Sequence, residues 1–277
     1  MKESSIEWTD HTWNIAVGCK KVDADCKNCY MYRDSLNGTR YEPNEVRRTK
    51  TVFNLPLKIK AGASAACSSL PPMIFTCSLT DFFIEDIDGY RNECWDIIRR
   101  RKDLIFQILT KRPERINDCL PDDYDDLDNV WIGTSVGHAK AVSRIDNLIN
   151  SKWNGLKFVS LEPLTENIVT QLDNKDYLAA ISWWIIGGES GGINGKYIAR
   201  PCELQWMEEI VKLLQEKSAH KIFVKQLGTV LAKQLSYTNR HGKDMQEFPK
   251  TICVRDFPVE EHFWNVKWLN LIKDSKK

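Results

Sequence analysis

The sequence lacks the features that would place it in a membrane or in an oxidising compartment. Even the apolar run at residues 181–188 ends within eight residues, whereas a membrane-spanning helix needs about 20. No apolar segment follows the charged start at residues 1–3, and the nine cysteines are an odd number, so neither a signal peptide nor a disulfide framework is indicated. We therefore expect a cytoplasmic protein with no membrane partner.

A strong net charge is missing as well. The 277 residues include 39 basic and 38 acidic side chains, which gives a formal net charge of +1. The field of the whole molecule therefore favours no polyanion, and any surface for nucleic acid has to be local. With 42% hydrophobic residues, the chain can form one large α/β domain or two small ones around a sizeable core.

Short β-branched or aromatic runs alternate with segments of helical periodicity, which is typical of parallel βαβ units. A flat doubly wound sheet fits less well, because no Gly-x-Gly-x-x-Gly turn follows the first strand. We predict an α/β fold: a (β/α) barrel, partial or complete and TIM-like, over residues 1–228, with an irregular C-terminal extension at 229–277 packed on it. In the extension we expect a turn at 239–243 between short strands and a helix around 262–268. The seven predicted barrel strands lie near residues 12–17, 73–78, 105–110, 130–135, 156–161, 182–187 and 221–226.

Cys19, Cys26 and Cys29 lie together in one segment after the first predicted strand, while the other six cysteines are scattered. Thiolates at this density bind a soft metal or an iron–sulfur cluster. A structural zinc site is normally closed by four protein ligands, so three cysteines favour a cluster with one iron left open. A zinc site completed by His11 or Asp10, and unligated thiols, are the alternatives.

Polar side chains come directly after every predicted strand. In a βα barrel the carboxyl ends of the strands carry the active site. Ser, Thr and Asp in such places also serve as ordinary helix N-caps. Glu162, Glu189 and Lys225 are harder to explain in that way, because a charge directly after an apolar run needs a partner at the barrel mouth. The strand-end candidates are Ser78, Thr80, Asp81, Lys111, Ser135, Glu162, Gly188, Glu189, Lys225 and Gln226.

Several separated blocks, matching in order, resemble the radical S-adenosylmethionine (SAM) superfamily, and within it an uncharacterised, phage-associated branch. The segment CKNCY at 26–30, with Arg33 shortly after it, is more distantly similar to spore photoproduct lyase and related DNA repair enzymes. Six residues separate Cys19 from Cys26, where the superfamily usually has three, and SLTD at 78–81 stands in place of a common glycine-rich motif. The other blocks are IEWTD at 6–10, TWN at 12–14, ILTKRP at 108–113, WIGTSV at 131–136, SLEP at 160–163, IGGESG at 186–191, ARP at 199–201 and VKQ at 224–226.

The resemblance implies an enzyme in which Cys19, Cys26 and Cys29 hold a [4Fe–4S] cluster and SAM chelates the open iron. An electron donor would reduce the cluster, and a 5′-deoxyadenosyl radical formed from SAM would abstract hydrogen from the substrate. By position, we expect Ser78, Thr80 or Asp81 to bind the ammonium of SAM. Lys111 would bind its carboxylate, and Ser135 and Glu162 would bind its ribose hydroxyls. Glu189 and Lys225 are the catalytic candidates, and Gly188 and Gln226 join them in binding the substrate.

The excursion at residues 39–72 interrupts the regular alternation and carries six basic against two acidic side chains between positions 40 and 60. We expect Arg47, Arg48 and Lys50 to contact phosphates, which favours a nucleic-acid base or nucleotide as substrate. A solvated connection is the simpler explanation of the same charges. The rival function is a zinc-bound, non-catalytic module that binds nucleic acid or protein, with the three cysteines in a structural role.

Overall fold

The computed structural model describes residues 4–35, 42–217 and 221–259, and it shows an α/β protein built on one curled parallel sheet. Seven strands hydrogen-bond in the order in which they occur in the chain, and each neighbouring pair is parallel. β1 and β9 form the two edges, so the sheet is a half-barrel and the predicted partial β/α barrel is confirmed. The strands are β1 His11–Trp13, β4 Met73–Thr76, β5 Ile105–Thr110, β6 Val130–Ser135, β7 Lys157–Leu161, β8 Trp183–Gly187 and β9 Lys221–Gln226, while β2 Ala16–Val17 and β3 Arg47–Arg48 form a separate antiparallel pair.

The first strand is shorter than predicted. The expected strand at 12–17 is divided between the main sheet and the small antiparallel pair, because the Asn14 side chain turns the chain at the end of β1. Its Oδ1 accepts from the Leu79 N–H at 2.9 Å, and its backbone oxygen accepts from the Thr49 hydroxyl at 2.7 Å. The cysteine segment is thereby directed over the mouth of the half-barrel.

The strands alternate between two apolar layers, as expected for a parallel sheet buried on both faces. Trp183 and Ile185 of β8 point into the half-barrel with Phe158, whereas Trp184 and Ile186 face the helices. The helices on the outer layer are amphipathic, and α7 buries Met207, Ile210, Val211 and Leu214. Their bounds are α1 Tyr30–Ser35, α2 Arg91–Arg100, α3 Ile116–Cys119, α4 Ser143–Ile149, α5 Val169–Leu172, α6 Lys175–Ala180, α7 Leu204–Lys217 and α8 Thr229–Gln234.

The chain after α8 is irregular and packs against the open edge at β9. The Val224 N–H donates to the Val254 carbonyl at 2.9 Å, and the Asp256 N–H donates to the Ile222 carbonyl at 2.8 Å, so residues 254–256 cover this edge. The expected turn at 239–243 is flanked by turns and short 3₁₀ segments instead of strands. The expected helix around 262–268 lies outside the described residues. None of the helices in the described ranges has the length and apolarity needed to cross a membrane.

Candidate functional site

A cavity of about 710 Å³ opens at the carboxyl ends of the strands, which is the size range of small-molecule sites. Its floor is apolar and includes Trp8, Phe75 and Leu109. Arg47, Arg48 and Lys50 are not among the residues that line it. All three cysteines and every strand-end candidate do line it: Cys19, Cys26, Cys29, Ser78, Thr80, Asp81, Lys111, Ser135, Glu162, Gly188, Glu189, Lys225 and Gln226.

The cysteine loop leaves β2 at Gly18, whose φ of +106° is a conformation that favours glycine. A Cβ at this position would also overlap the backbone carbonyl of Glu45. The Gly18 and Cys19 N–H groups donate to the carbonyls of Leu79 and Pro43, at 3.2 and 3.0 Å, which fixes the start of the loop. Its end is a turn in which the Cys29 N–H donates to the Cys26 carbonyl at 3.4 Å, so Cys26 and Cys29 lie side by side at the start of α1.

The distances among the three thiols can be compared with those that one zinc ion requires. Thiolates on one tetrahedral zinc are about 3.8 Å apart, since each Zn–S bond is about 2.3 Å. Among the described residues, the only three ligating groups whose donor atoms all lie within 4.8 Å of one another are Asp23, Asp25 and His138. At least one pair of the three cysteine sulfurs is therefore farther apart than one zinc ion requires.

Burial keeps the Cys19 and Cys29 thiols protonated in the absence of a metal. Burial first, and then the negative charge of Asp81, raise the pKa of Cys19 to about 12. Burial also raises the pKa of Cys29, against the opposing positive charge of Lys111. A bound metal centre would supply the positive charge that such thiolates need.

The first support of the loop is the ion pair between Asp81 and Arg112. Asp81 accepts from the Thr110 hydroxyl at 2.7 Å and from the N–H groups of Phe83 and Lys111, both at 2.9 Å, so its oxygens join the ends of β4 and β5. Arg112 lies 3.3 Å from Asp81 and donates to the Lys20 carbonyl at 2.6 Å. The N-cap explanation does not describe Asp81, because the next helical segment, Glu85–Tyr90, follows Ile84 and has no side-chain cap.

The second support is the pair between Glu189 and Arg200. The Glu189 carboxylate accepts two hydrogen bonds from the Arg200 side chain, at 2.6 and 3.1 Å, and one from the Arg200 N–H at 2.7 Å. It also accepts from the Asn28 amide, between two of the cysteines, at 3.0 Å. Arg200 in turn donates to the Ala24 carbonyl at 2.8 Å. These contacts favour a positioning role for Glu189 over proton transfer.

The third support of the loop comes from the six residues that separate Cys19 from Cys26. Asp23 and Asp25 both pair with Arg144 of α4, and the Asp23 carboxylate is also 3.1 Å from His138 Nε2. The Gly137 N–H donates to Asp25 at 3.2 Å. The guanidinium of Arg144 thus supplies the positive charge that a cation among Asp23, Asp25 and His138 would bring. The six residues between Cys19 and Cys26 therefore attach the loop to the chain that follows β6.

Three polar groups on the cavity wall form no side-chain hydrogen bond within the described part of the chain, although Asp25 Oδ1 lies 3.7 Å from His138 Nε2. Asp25 Oδ1 and Thr80 Oγ1 are buried and accept or donate no hydrogen bond there. The ammonium of Lys111 likewise forms no hydrogen bond or ion pair with a described residue, although its charge acts on Asp25. Burial raises the pKa of Asp25, and Lys111 is the strongest influence opposing this. Sequence reasoning missed Asp25, whose one signal is its place directly before Cys26.

Glu162 and Lys225 pair with each other across the cavity wall, with Lys225 Nζ 2.9 Å from Glu162 Oε1. The Ser160 hydroxyl lies 3.3 Å from the other Glu162 oxygen. Gln226 donates its amide to the Gly188 carbonyl at 2.8 Å. The glycine at 188 serves close packing, because a Cβ there would overlap the carbonyl of Leu227.

The basic residues Arg47, Arg48 and Lys50 of the excursion do not line the cavity. Arg47 and Arg48 form β3, and Arg48 makes an ion pair of 2.6 Å with Glu93 of α2 while stacking over Phe53. Lys50 follows on an exposed bend. The expectation that this segment forms a phosphate rim at the mouth stays a prediction.

The proposed zinc ligands Asp10 and His11 are not among the residues that line the cavity. Both Asp10 oxygens accept backbone N–H groups: Oδ1 from Ala65 and Ala66, at 2.7 and 3.0 Å, and Oδ2 from Met73 at 2.7 Å. His11 belongs to β1, opposite Ile74 of β4. Neither residue completes a four-ligand site with the cysteines.

Fold and site together define an α/β protein with a partial β/α barrel, whose mouth holds a cavity lined by Cys19, Cys26, Cys29 and Cys77. The chain belongs to the family described as "Protein of unknown function (DUF5131)", whose model matches residues 3–253. No curated protein and no solved structure matches the chain. The matched region contains every residue of the candidate site.

Proposed function

We propose that this protein is a radical SAM enzyme of the cytoplasm, built on a TIM-like barrel, that receives electrons from a separate donor and modifies or repairs a nucleic-acid base or nucleotide. The observation that carries the proposal is the placement of Cys19, Cys26 and Cys29. They line a cavity large enough for a cofactor and a substrate, and at least one pair of their sulfurs is farther apart than one zinc ion requires.

The donor set suits an iron–sulfur cluster held by three thiolates. When bound, a [4Fe–4S] cluster and SAM together supply a 5′-deoxyadenosyl radical that abstracts hydrogen. The residues of the chain then have three tasks: Arg112, Arg200 and Arg144 hold the loop, the apolar floor excludes water, and the polar wall orients SAM.

The unpartnered groups of the wall suit the amino-acid part of SAM. We assign the carboxylate of SAM to Lys111, and its ammonium to Thr80 and to the Asp25 oxygen that accepts no hydrogen bond, because these groups are unsatisfied in the described part of the chain. Asp81 is a poorer candidate for the ammonium, because its oxygens already accept hydrogen bonds from Thr110, Phe83 and Lys111. Ser135 and the Glu162–Lys225 pair line the cavity where they could meet the ribose and the substrate.

Anaerobic purification tests the metal directly. We expect brown protein with iron and sulfide in the ratio of a [4Fe–4S] cluster, and colourless protein once Cys19, Cys26 and Cys29 are all replaced by alanine. Cys202→Ala, a buried cysteine outside the cavity, is the matched control and should keep the colour. Colourless wild-type protein with one zinc per chain would support the non-catalytic binding module instead.

Binding of SAM to the cluster-loaded protein is the second measurement. Lys111→Met should weaken SAM binding in calorimetry by about 10- to 100-fold, the effect of losing one charge-assisted hydrogen bond. Lys212→Met, on the exposed side of α7, should leave the affinity unchanged. Equal affinities for wild-type and Lys111→Met protein would refute the assignment of Lys111.

A further inference from the structure

One ion pair on the cavity wall spans a strand of the sheet. Glu162 comes directly after β7 and Lys225 belongs to β9, with β8 between them. Lys225 Nζ is nevertheless only 2.9 Å from Glu162 Oε1, so the two side chains meet over the carboxyl end of β8. Both residues line the cavity, and the side chains of Glu162 and Lys225 remain 14% and 19% exposed, so a bound ligand can reach them.

Two features of the backbone make this contact possible. The first is Gly187, the last residue of β8, because a Cβ at this position would lie 2.5 Å from Glu162 Oε1. The second is a register shift between β8 and β9, which leaves Lys225 as an extra residue without a counterpart on β8. Consecutive residues of a regular strand point to opposite faces, whereas a bulge redirects a side chain. The shift thus explains why Lys225 and Gln226 both line the cavity.

The pair is neutral as a whole and keeps hydrogen-bonding capacity. Within the described part of the chain, the second oxygen of Glu162 accepts only from the Ser160 hydroxyl, at 3.3 Å. The Lys225 ammonium has three N–H donors, and Glu162 is the one described side chain that it contacts. A charged ligand group would leave one member of the pair uncompensated. The pair therefore suits a neutral group that presents hydrogen-bond donors beside an acceptor.

We propose, on the basis of the function above, that Glu162 and Lys225 recognise the Watson–Crick edge of a guanine base in the substrate. The two carboxylate oxygens of Glu162 match the adjacent N1–H and N2–H donors of guanine, and the Lys225 ammonium donates to its O6. The other bases present a single donor group on this edge, so only guanine uses both oxygens. Enzymes that act on a base taken out of the stack read this same edge.

The ribose of SAM is the other neutral group that the sequence assigns to Glu162. A diol donates to a carboxylate and does not require an ammonium beside it, whereas guanine uses both members of the pair. Ser135 also lines the cavity and remains for the ribose. Lys225 thereby gains a defined partner in the substrate, the guanine O6.

Calorimetry with anaerobically purified protein tests the choice of base. The ligands are GMP, IMP and AMP, and short single-stranded thymidine oligonucleotides that carry one guanine, hypoxanthine or adenine. Guanine should bind most tightly in at least one of the two series, which also shows whether the substrate is a free nucleotide or a strand. Hypoxanthine lacks only the 2-amino group, so it should bind at least about tenfold more weakly, the effect of one lost hydrogen bond to a charged group.

Three variants disturb the pair in different ways. Glu162→Gln should remove the preference for guanine over hypoxanthine, because an amide offers one acceptor oxygen in place of two. Lys225→Met should weaken both ligands alike, by at least about tenfold, since both carry O6. Gly187→Ala keeps both charges but displaces the carboxylate, and it should also weaken guanine binding. Gly62→Ala is the matched control and should bind like wild-type protein, because nothing lies within 4 Å of its added Cβ.

Equal affinities for guanine and hypoxanthine in wild-type protein would overturn the proposal, as would a Gly187→Ala variant that binds like Gly62→Ala. That comparison decides even if Glu162→Gln does not fold. Cluster absorption and SAM affinity are measured on the same samples. A loss of SAM affinity alone in Glu162→Gln would assign the pair to the ribose and refute the base site. Guanine-selective binding without a cluster would refute the enzyme and keep the base site, whereas an intact cluster with SAM but no nucleotide binding would do the reverse.

Discussion

The carboxylates around the cavity differ in whether the protein already satisfies their oxygens. Asp81 and Glu189 each accept several hydrogen bonds from neighbouring chain segments, so they hold the mouth together. Asp25 has one buried oxygen without a described donor. Because an unmet buried acceptor is costly, this oxygen is the one best suited to receive a donor from a ligand.

Replacing Glu189 by glutamine measures how much its carboxylate contributes to holding Arg200 and Asn28 at the cysteine loop. Burial opposes ionisation of Glu189, but the hydrogen bonds from Arg200 and Asn28 outweigh it and lower the pKa below its usual value. The contribution of the carboxylate is therefore complete above a pH of about 4.5 and is lost as the pH falls through the lowered pKa. Urea unfolding should show a loss of about 2–3 kcal/mol for Glu189→Gln at pH 7, and a smaller difference from wild type at pH 4.

Glu93→Gln provides the control for this change. Glu93 is fully exposed and pairs with Arg48, so its removal should leave the urea midpoint nearly unchanged. Equal effects of Glu93→Gln and Glu189→Gln would show that the contacts of Glu189 do not stabilise the mouth.

At the scale of elements, the cysteine loop is held from three sides of the half-barrel. Arg112 follows β5, Arg144 lies on α4 after β6, and Arg200 follows β8. Each arginine bridges a carboxylate and the loop, or pairs with carboxylates of the loop itself. The long gap between Cys19 and Cys26 is thereby an anchored segment whose position depends on β6 and α4.

Arg144→Gln should weaken retention of the metal centre by about 10- to 100-fold, because it removes the guanidinium that pairs with both Asp23 and Asp25 beside Cys26. Iron release to a chelator measures this effect. Arg101→Gln is the matched control: Arg101 is also largely buried, and it binds Asp103 and the carbonyls of Pro56 and Ile59 at the opposite end of β5. It should lower stability without faster iron release. The same release rate in both variants would contradict the anchoring role.

At the scale of the whole molecule, the half-barrel has an aromatic interior at one end and the polar cavity at the other. Trp183 contacts Trp8, Trp131 and Phe223, with ring centroids 5.8–6.0 Å apart. Phe257 of the extension lies 5.7 Å from Trp183 and closes this end. The aromatic cluster that stabilises the fold and the polar cavity thus lie at opposite ends of the strands, as in complete βα barrels.

Phe257→Ala should reduce the free energy of unfolding by about 1–3 kcal/mol, because it removes a partly buried ring from the aromatic cluster. Iron content and SAM affinity should not change, since the residue is far from the mouth. Thermal unfolding and iron analysis of the same preparation give both quantities. A loss of iron in the folded variant would mean that the two ends are coupled.

Local chemistry in the sequence determined where the strands lie and which side chains come directly after each strand. Strands buried on both faces are continuous apolar runs, and six of the seven predicted strands match the structure to within two residues at either end. The parallel order then places all strand ends at one mouth. For this reason the strand-end candidates and the three cysteines could be predicted to line one cavity.

Only the tertiary structure decided which of these groups are already satisfied. Asn28 and Glu189 are 161 positions apart, and Arg200 and Ala24 are 176 apart, so no periodicity or motif reveals that they are hydrogen-bonded. The same is true of Glu162 and Lys225, which are paired across β8. Sequence patterns report the faces and ends of single elements, whereas charge compensation depends on the long-range contacts that folding creates.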